Sequence, residues 1–146
     1  MISASHHVGI IVSNLERSLA FYRDVLGCKF MFDGGPYRNI EKEVAVPNAE
    51  VKTAHLEIGG FEIELVEYTK PRIKLEGLCN AAIGTSHFAF EVDDIYAEYD
   101  RLKKKGVMFN APPLLILEGG KKGQIWTYFR DPDGYTLELV QKAKSP

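Results

Sequence analysis

Two glutamates occupy the same place in two nearly identical stretches of the sequence. Glu64 lies in GFEIELVE, which starts at Gly60, and Glu138 lies in GYTLELVQ, which starts at Gly134. Each carboxylate stands in the middle of an apolar, strand-like run. Removing a carboxylate from water is costly unless another group pairs with it. The repeated acid therefore predicts a partner elsewhere in the chain.

Two histidines repeat in the same way. His7 in SHHVGIIVSNL aligns with His87 in SHFAFEVDDI, and each begins a strand-like run that leads into residues typical of a helix start. Because side chains alternate across a strand, the apolar residues of these strands share one face, and His7, Glu64, His87 and Glu138 fall on the other. Two such sheets facing inward would bring two imidazoles and two carboxylates together.

A divalent cation is the partner that these four side chains predict. Two imidazole nitrogens and two carboxylate oxygens suit Zn, Ni, Co, Fe(II) or Mn. A single glutamate on a sheet face, or a single histidine at a strand end, is more often solvated than bound to a metal. The match between the two halves of the chain favours one metal site formed by His7, Glu64, His87 and Glu138, with the metal's identity left open.

The elements that must position these residues form a repeated βαβββ pattern. An apolar stripe at helical spacing predicts a first helix that begins at Ser13 or Asn14, with a Ser13-x-x-Glu16 capping box, and ends at Gly27. Further strands are predicted in both halves, at Val51–Ile58, Phe61–Tyr68, Gln124–Arg130 and Tyr135–Gln141.

One α+β domain built from two such modules accounts for the whole sequence. The helix of the second module is predicted from about Asp94 to Gly106. The first module covers about residues 5–68 and the second about 86–142, with a linker at about 69–85. The length of 146 residues suits a single domain with a substantial core.

Composition excludes several classes of protein. The net charge of −2 leaves no basic surface for nucleic acid, and no apolar run is long enough to cross a membrane. The N-terminal residues lack the basic region of a signal peptide. Two cysteines, Cys28 and Cys79, stand far apart, which is typical of free thiols in a reducing compartment. A cytoplasmic location is the expectation.

The sequence resembles the vicinal oxygen chelate superfamily, which contains glyoxalase I, methylmalonyl-CoA epimerase, extradiol dioxygenases and drug-resistance proteins. The paired HHVGIIV…SLAFYRDVLG and SHFAFEVDDI…LKKKGV segments carry the resemblance, together with IELVEY and DPDGYTLELVQ. It implies paired βαβββ modules that form a cupped, barrel-like mixed sheet around one metal. It also implies that His7, Glu64, His87 and Glu138 are the ligands and that the protein is a homodimer.

Branches of the superfamily differ in their ligands. Resistance-type binding proteins usually lack the ligand set that is complete here. Extradiol dioxygenases add a histidine in the segment that corresponds to Asn110–Thr127, where this chain has none. The set of two histidines and two glutamates is similar to the ligand set of bacterial glyoxalase I and, in part, to that of the epimerases. The residues after IELVEY, Thr69-Lys70-Pro71, differ from the segment expected of glyoxalase I. An epimerase therefore remains an alternative function.

The function that the resemblance implies is proton transfer next to a carbonyl. A glyoxalase I-like enzyme of the lactoylglutathione lyase type would remove a proton alpha to the carbonyl while the metal holds the enediolate. Glu138 and Glu64 are the candidate catalytic bases. The alternatives are an epimerase of the methylmalonyl-CoA type and a non-catalytic protein that binds or confers resistance to a small molecule. The predicted partner in each case is a small molecule.

Three further side chains carry weaker expectations. His6 is predicted to point away from His7, to the opposite side of the sheet, and to be structural. His55 lies in a strand and is predicted to be structural rather than part of the site. Tyr128 precedes the DPDG turn and is a candidate pocket residue.

Overall fold

The computed structural model describes residues 1–74, 77 and 79–144. The chain divides into two compact units, residues 1–75 and 76–146. Each unit contains one four-stranded mixed sheet. The α+β class and the repeated βαβββ unit predicted from the sequence are confirmed.

The first unit orders its strands β1-β4-β3-β2. β1 runs parallel to β4, and the other neighbours are antiparallel. Helix α1 continues directly into a π-helical turn at Phe21–Val25. The elements of this unit are β1 (His7–Ile11), α1 (Leu15–Ala20), β2 (Lys29–Tyr37), α2 (Glu41–Val44), β3 (Glu50–Ile58) and β4 (Phe61–Lys70).

The second unit repeats this order as β5-β8-β7-β6, again with its first and last strands parallel. The later strands predicted from the sequence are confirmed to within two residues at their ends. The elements are β5 (His87–Glu91), α3 (Ile95–Lys104), β6 (Leu114–Leu115), β7 (Ile125–Arg130) and β8 (Thr136–Gln141).

The strand register is the same in the two units. In the first, Gly9 of β1 lies opposite Glu64 of β4. In the second, Ala89 of β5 lies opposite Glu138 of β8. Each histidine that begins the first strand is therefore two residues away from the position opposite the glutamate, on the same face of its sheet.

The opposite face of each sheet forms the core. Ile10, Ile63 and Leu65 are at most 2% exposed in the first unit, and so are Leu137 and Leu139 in the second. Burying one such side chain contributes roughly 1.5–3 kcal/mol. The predicted separation of an apolar face from a polar face is confirmed.

The N-terminus of α1 lies at Asn14, the second of the two predicted starts. The N-cap is Asn14, whose side-chain oxygen accepts a hydrogen bond from the backbone nitrogen of Arg17 at 2.8 Å. The predicted Ser13–Glu16 capping box is wrong. Because Asn14 is already in the extended conformation that a cap requires, the helix begins one residue later than the box needs.

Helices α1 and α3 each have a second capping residue, which comes from the last strand of the same unit. Glu67 of β4 accepts a hydrogen bond from the backbone nitrogen of Leu15 at 2.9 Å. Gln141 of β8 accepts one from the backbone nitrogen of Ile95 at 2.8 Å. Asp94 is the N-cap of α3, as the sequence predicts.

The predicted linker at 69–85 overlaps the end of β4, which extends to Lys70. Residues 75, 76 and 78 of that linker lie outside the described part of the chain. Among the described residues, no helix has the length and apolar character needed to cross a membrane.

Candidate metal centre

A histidine–glutamate pair lies on the polar face of the first sheet. Nε2 of His7 is 3.3 Å from Oε2 of Glu64 on the adjacent parallel strand. The side chains are 41% and 23% exposed, so the pair is accessible without being fully hydrated. Imidazole nitrogen and carboxylate oxygen are the donor types that divalent transition metals and zinc accept.

The second sheet carries the same pair in the same register. Nε2 of His87 is 2.9 Å from Oε2 of Glu138, and these side chains are 45% and 14% exposed. The structure thus brings together the two predicted residues of each module. Within its own unit, each strand-interior carboxylate lies beside the imidazole at the start of the neighbouring strand.

His55, which the sequence predicts to be structural, lies beside the first pair. It lies opposite Glu64 in the antiparallel pairing of β3 and β4, and its Nε2 is 3.7 Å from Oε1 of that carboxylate. Its Nδ1 is 2.7 Å from Oε1 of Glu62, and its ring stacks on Phe32 with 4.3 Å between ring centres. The register of the two strands was the signal that could have revealed this contact.

The hydrogen bonds of His55 define its tautomer. A carboxylate can only accept, so Nδ1 donates to Glu62. In the neutral ring Nε2 then accepts the hydroxyl proton of Thr53, at 3.0 Å. The hydrogen bond from His55 is the main cause that lowers the pKa of Glu62, and electrostatic interactions with His55, His6 and His7 act in the same direction.

His6 lies beside His7, contrary to the prediction that it points to the opposite side. The two Nδ1 atoms are 2.8 Å apart. Strand alternation does not apply to His6 because β1 begins at His7. Donor atoms of His6, His7 and Glu62 all lie within 4.8 Å of one another, a grouping that could hold a metal ion. The first unit therefore offers more imidazole donors than the single histidine predicted from the sequence.

Tyr128 occupies in the second unit the position that His55 holds in the first. It lies opposite Glu138 in the pairing of β7 and β8, and its ring centre is 5.1 Å from that of His87. Burial raises the pKa of Tyr128, and the negative charge of Glu138 raises it further. Trp126 packs edge-on against Tyr128, with 4.8 Å between ring centres. The pair of His87 and Glu138 is thus flanked by aromatic rings, whereas the pair of His7 and Glu64 is flanked by the imidazole of His55.

Comparison with known proteins identifies the family. The model of the Glyoxalase/Bleomycin resistance protein/Dioxygenase superfamily matches residues 4–139. The chain belongs to this superfamily. The resemblance stated from the sequence is confirmed, and the superfamily's paired βαβββ modules correspond to the two units described above.

Relatives in the superfamily include epimerases and lyases. A 2-epi-5-epi-valiolone epimerase of Actinomyces sp is 29% identical, over 94% of this chain and 78% of the relative. An ethylmalonyl-CoA/methylmalonyl-CoA epimerase of Cereibacter sphaeroides is 30% identical, over 97% and 99%. A lactoylglutathione lyase of Arabidopsis thaliana is 28% identical over 96% of this chain, which spans only 44% of that protein.

Solved structures of the superfamily share the fold. A glyoxalase family protein from Bacillus cereus superposes with a TM-score of 0.80, over 99% of this chain and 97% of that one. Its sequence identity of 18% supports a likeness of fold alone.

Proposed function

We propose that this superfamily member is a divalent-metal-dependent enzyme that moves a proton on the carbon next to a carbonyl group. The observation that carries the proposal is the histidine–glutamate pair built twice in one register, with 3.3 Å and 2.9 Å between the partners. Solubility of a sheet face does not require a histidine–glutamate pair at the same register in both units. Relatives named as lyases and epimerases support an enzyme rather than a binding protein.

The proposed ligands of one ion per site are His7, Glu64, His87 and Glu138, supplied by one chain or by two chains of a homodimer. Their donor chemistry fits Zn, Ni, Co, Fe(II) or Mn. When bound, such an ion acts as a Lewis acid that stabilises negative charge on the substrate's oxygen atoms.

Glu138 is the proposed base that accepts the proton, and Glu64 is the proposed second carboxylate for its return. The surroundings of the two differ in a way that supports this division. Glu64 has imidazoles on two sides, at 3.3 Å and 3.7 Å, which restrain it. Glu138 has one imidazole, His87, and its other flank is the ring of Tyr128. A carboxylate with fewer polar partners is freer to move to a substrate carbon.

Two reactions use this chemistry. A glyoxalase I-like reaction returns the proton to the neighbouring carbon, and an epimerase returns it to the opposite face of the same carbon. The epimerase is favoured as the second candidate by the relative from Cereibacter sphaeroides, which this chain covers almost from end to end. The lyase from Arabidopsis is more than twice as long as the part that this chain matches.

Metal content and turnover test the proposal together. Elemental analysis of tag-free protein should find about one transition-metal ion per site, and chelation should abolish activity that re-addition restores. Formation of lactoylglutathione from methylglyoxal and glutathione would identify the lyase reaction. Loss of the alpha proton of methylmalonyl-CoA to deuterated water, followed by NMR, would identify the epimerase reaction. A protein that binds no metal with any of the five ions would refute the proposal.

A further inference from the structure

Equivalent positions of the two sheets carry opposite charges beside the paired histidines. In the first unit, Glu62 lies opposite His7 on the neighbouring strand, and Glu57 lies opposite Glu62 on the strand after that. In the second unit these two places, beside His87, are taken by Thr136 and Arg130. A row that is acidic in one unit is therefore neutral and basic in the other.

The guanidinium of Arg130 is held in place by neutral oxygens. Nη1 donates to the carbonyl oxygen of Gly134 at 3.1 Å and to the hydroxyl of Thr136. Thr136 in turn donates to Oδ1 of Asn80 at 2.6 Å. This chain of hydrogen bonds draws the guanidinium over Thr136, the residue next to His87, on the face that carries Tyr128 and Glu138.

Three N–H groups of Arg130 are left for another acceptor. An arginine has five, and Nη1 uses its two on Gly134 and Thr136. Within residues 79–144, neither Nε nor Nη2 has a hydrogen-bond partner, and no carboxylate oxygen lies within 4.0 Å of the guanidinium. A half-buried cation without a counter-charge is unfavourable, and the free edge of its planar fork matches two oxygens of an oxyanion.

We propose that Arg130 is a specificity-determining residue that binds a carboxylate or phosphate group of the substrate. This inference rests on the proposed function, because it assigns the substrate class of the same site. Neighbouring strands are about 4.8 Å apart, so Arg130 and His87 are about 10 Å apart at their backbones. In the substrate, a short chain of atoms would then join the anionic group to the carbon on which Glu138 acts. The equivalent row of the first unit carries Glu57 and Glu62, which would repel such a group.

Binding of small anions to metal-free protein tests the inference without any catalysis. Trp126, the only tryptophan, lies on the same strand and the same face as Arg130, so its fluorescence reports on this region. Methylphosphonate and acetate are titrated separately, with acetamide as the neutral control. We expect a saturable fluorescence change with an anion in the millimolar range and none with acetamide, and the tighter of the two anions names the substrate's group.

Variants locate the binding. R130Q should weaken anion binding more than tenfold, and R130K should restore part of it, because a lysine keeps the charge but not the fork. Thr136→Val should weaken binding less, by releasing the guanidinium. K104Q removes the same charge from an exposed position on helix α3 and should bind as the parent protein does. Equal binding by R130Q, equal binding of acetamide, or no saturable change with either anion would overturn the inference. Since no metal or substrate is present, these results do not depend on the proposed reaction.

Discussion

Nε2 of His87 and Oε2 of Glu138 lie 2.9 Å apart on adjacent parallel strands, closer than the equivalent atoms of His7 and Glu64. Parallel neighbours hold this distance because the backbone hydrogen bonds of β5 and β8 fix their register over five residue pairs. The pair is therefore a product of the fold and is present before any ligand binds.

Replacing Glu138 by Gln keeps the shape of the side chain and removes the proposed base. We expect turnover to fall about 10²- to 10⁴-fold, the usual contribution of general base catalysis, with an unchanged circular dichroism spectrum. E91Q is a matched control, because Glu91 lies on the same face but pairs with Lys142 at the strand end. Activity of E138Q equal to that of E91Q would remove Glu138 from the mechanism.

Replacing His55 by Phe removes the imidazole that flanks Glu64 while keeping a ring to stack on Phe32. If Glu64 is a ligand, metal affinity should fall about 10- to 100-fold, as it does when a residue that orients a ligand is lost. Competition with a chromophoric chelator measures this affinity directly. Y128F changes the corresponding position of the second unit and should have a smaller effect, since Tyr128 has no hydrogen bond to Glu138 among those found in residues 79–144. The reverse order of effects would contradict the assignment.

Removing the cap of α1 should destabilise the protein. Asn14→Ala deletes the acceptor for the backbone nitrogen of Arg17, and the cost should be about 1 kcal/mol in urea denaturation. Ser13→Ala is the matched control, because Ser13 is not the N-cap, and its effect should be smaller. A larger loss from Ser13→Ala would restore the capping box that the sequence predicted.

The two cysteines should differ in reactivity. Burial raises the pKa of the Cys28 thiol to about 11, whereas Cys79 is exposed. A thiol reagent should modify one cysteine rapidly at neutral pH and the second only on unfolding. C79S should abolish the fast phase, and fast labelling of that variant would show that Cys28 is accessible.

The burial of Cys28 should also make the free energy of unfolding depend on pH in the alkaline range. Between the ordinary thiol pKa of about 8.5 and the folded value of about 11, the unfolded chain loses the Cys28 proton and the folded chain keeps it. The unfolded state then binds fewer protons, so stability falls as pH rises through this window. The Cys28→Ala variant should lack this contribution. A denaturation midpoint that falls equally in both proteins would assign the loss to other groups.

Much of this fold could be predicted from the sequence because the βαβββ pattern occurs twice. The repeat and the alternation of side chains placed His7, Glu64, His87 and Glu138 on one face of their strands. The pairs of His7 with Glu64 and of His87 with Glu138 depend in addition on which strands are neighbours, and that was not predicted. His6 was misplaced because alternation was extended one residue beyond the strand. The surroundings of His55 and Arg130 could not be predicted, because they depend on which residue each faces across the sheet. Such pairing depends on register, which a one-residue change in a turn would shift.

The strand that carries each proposed glutamate ligand also carries the residue that caps the neighbouring helix. Glu67 follows Glu64 by three positions, and Gln141 follows Glu138 by three. In the first unit the cap is a carboxylate that also pairs with exposed Arg72, whereas in the second it is a neutral amide. Salt screens the exposed charge of Arg72 in this pair, whereas the amide of Gln141 has no charge to screen. At high ionic strength, fraying should therefore begin at Leu15 rather than at Ile95.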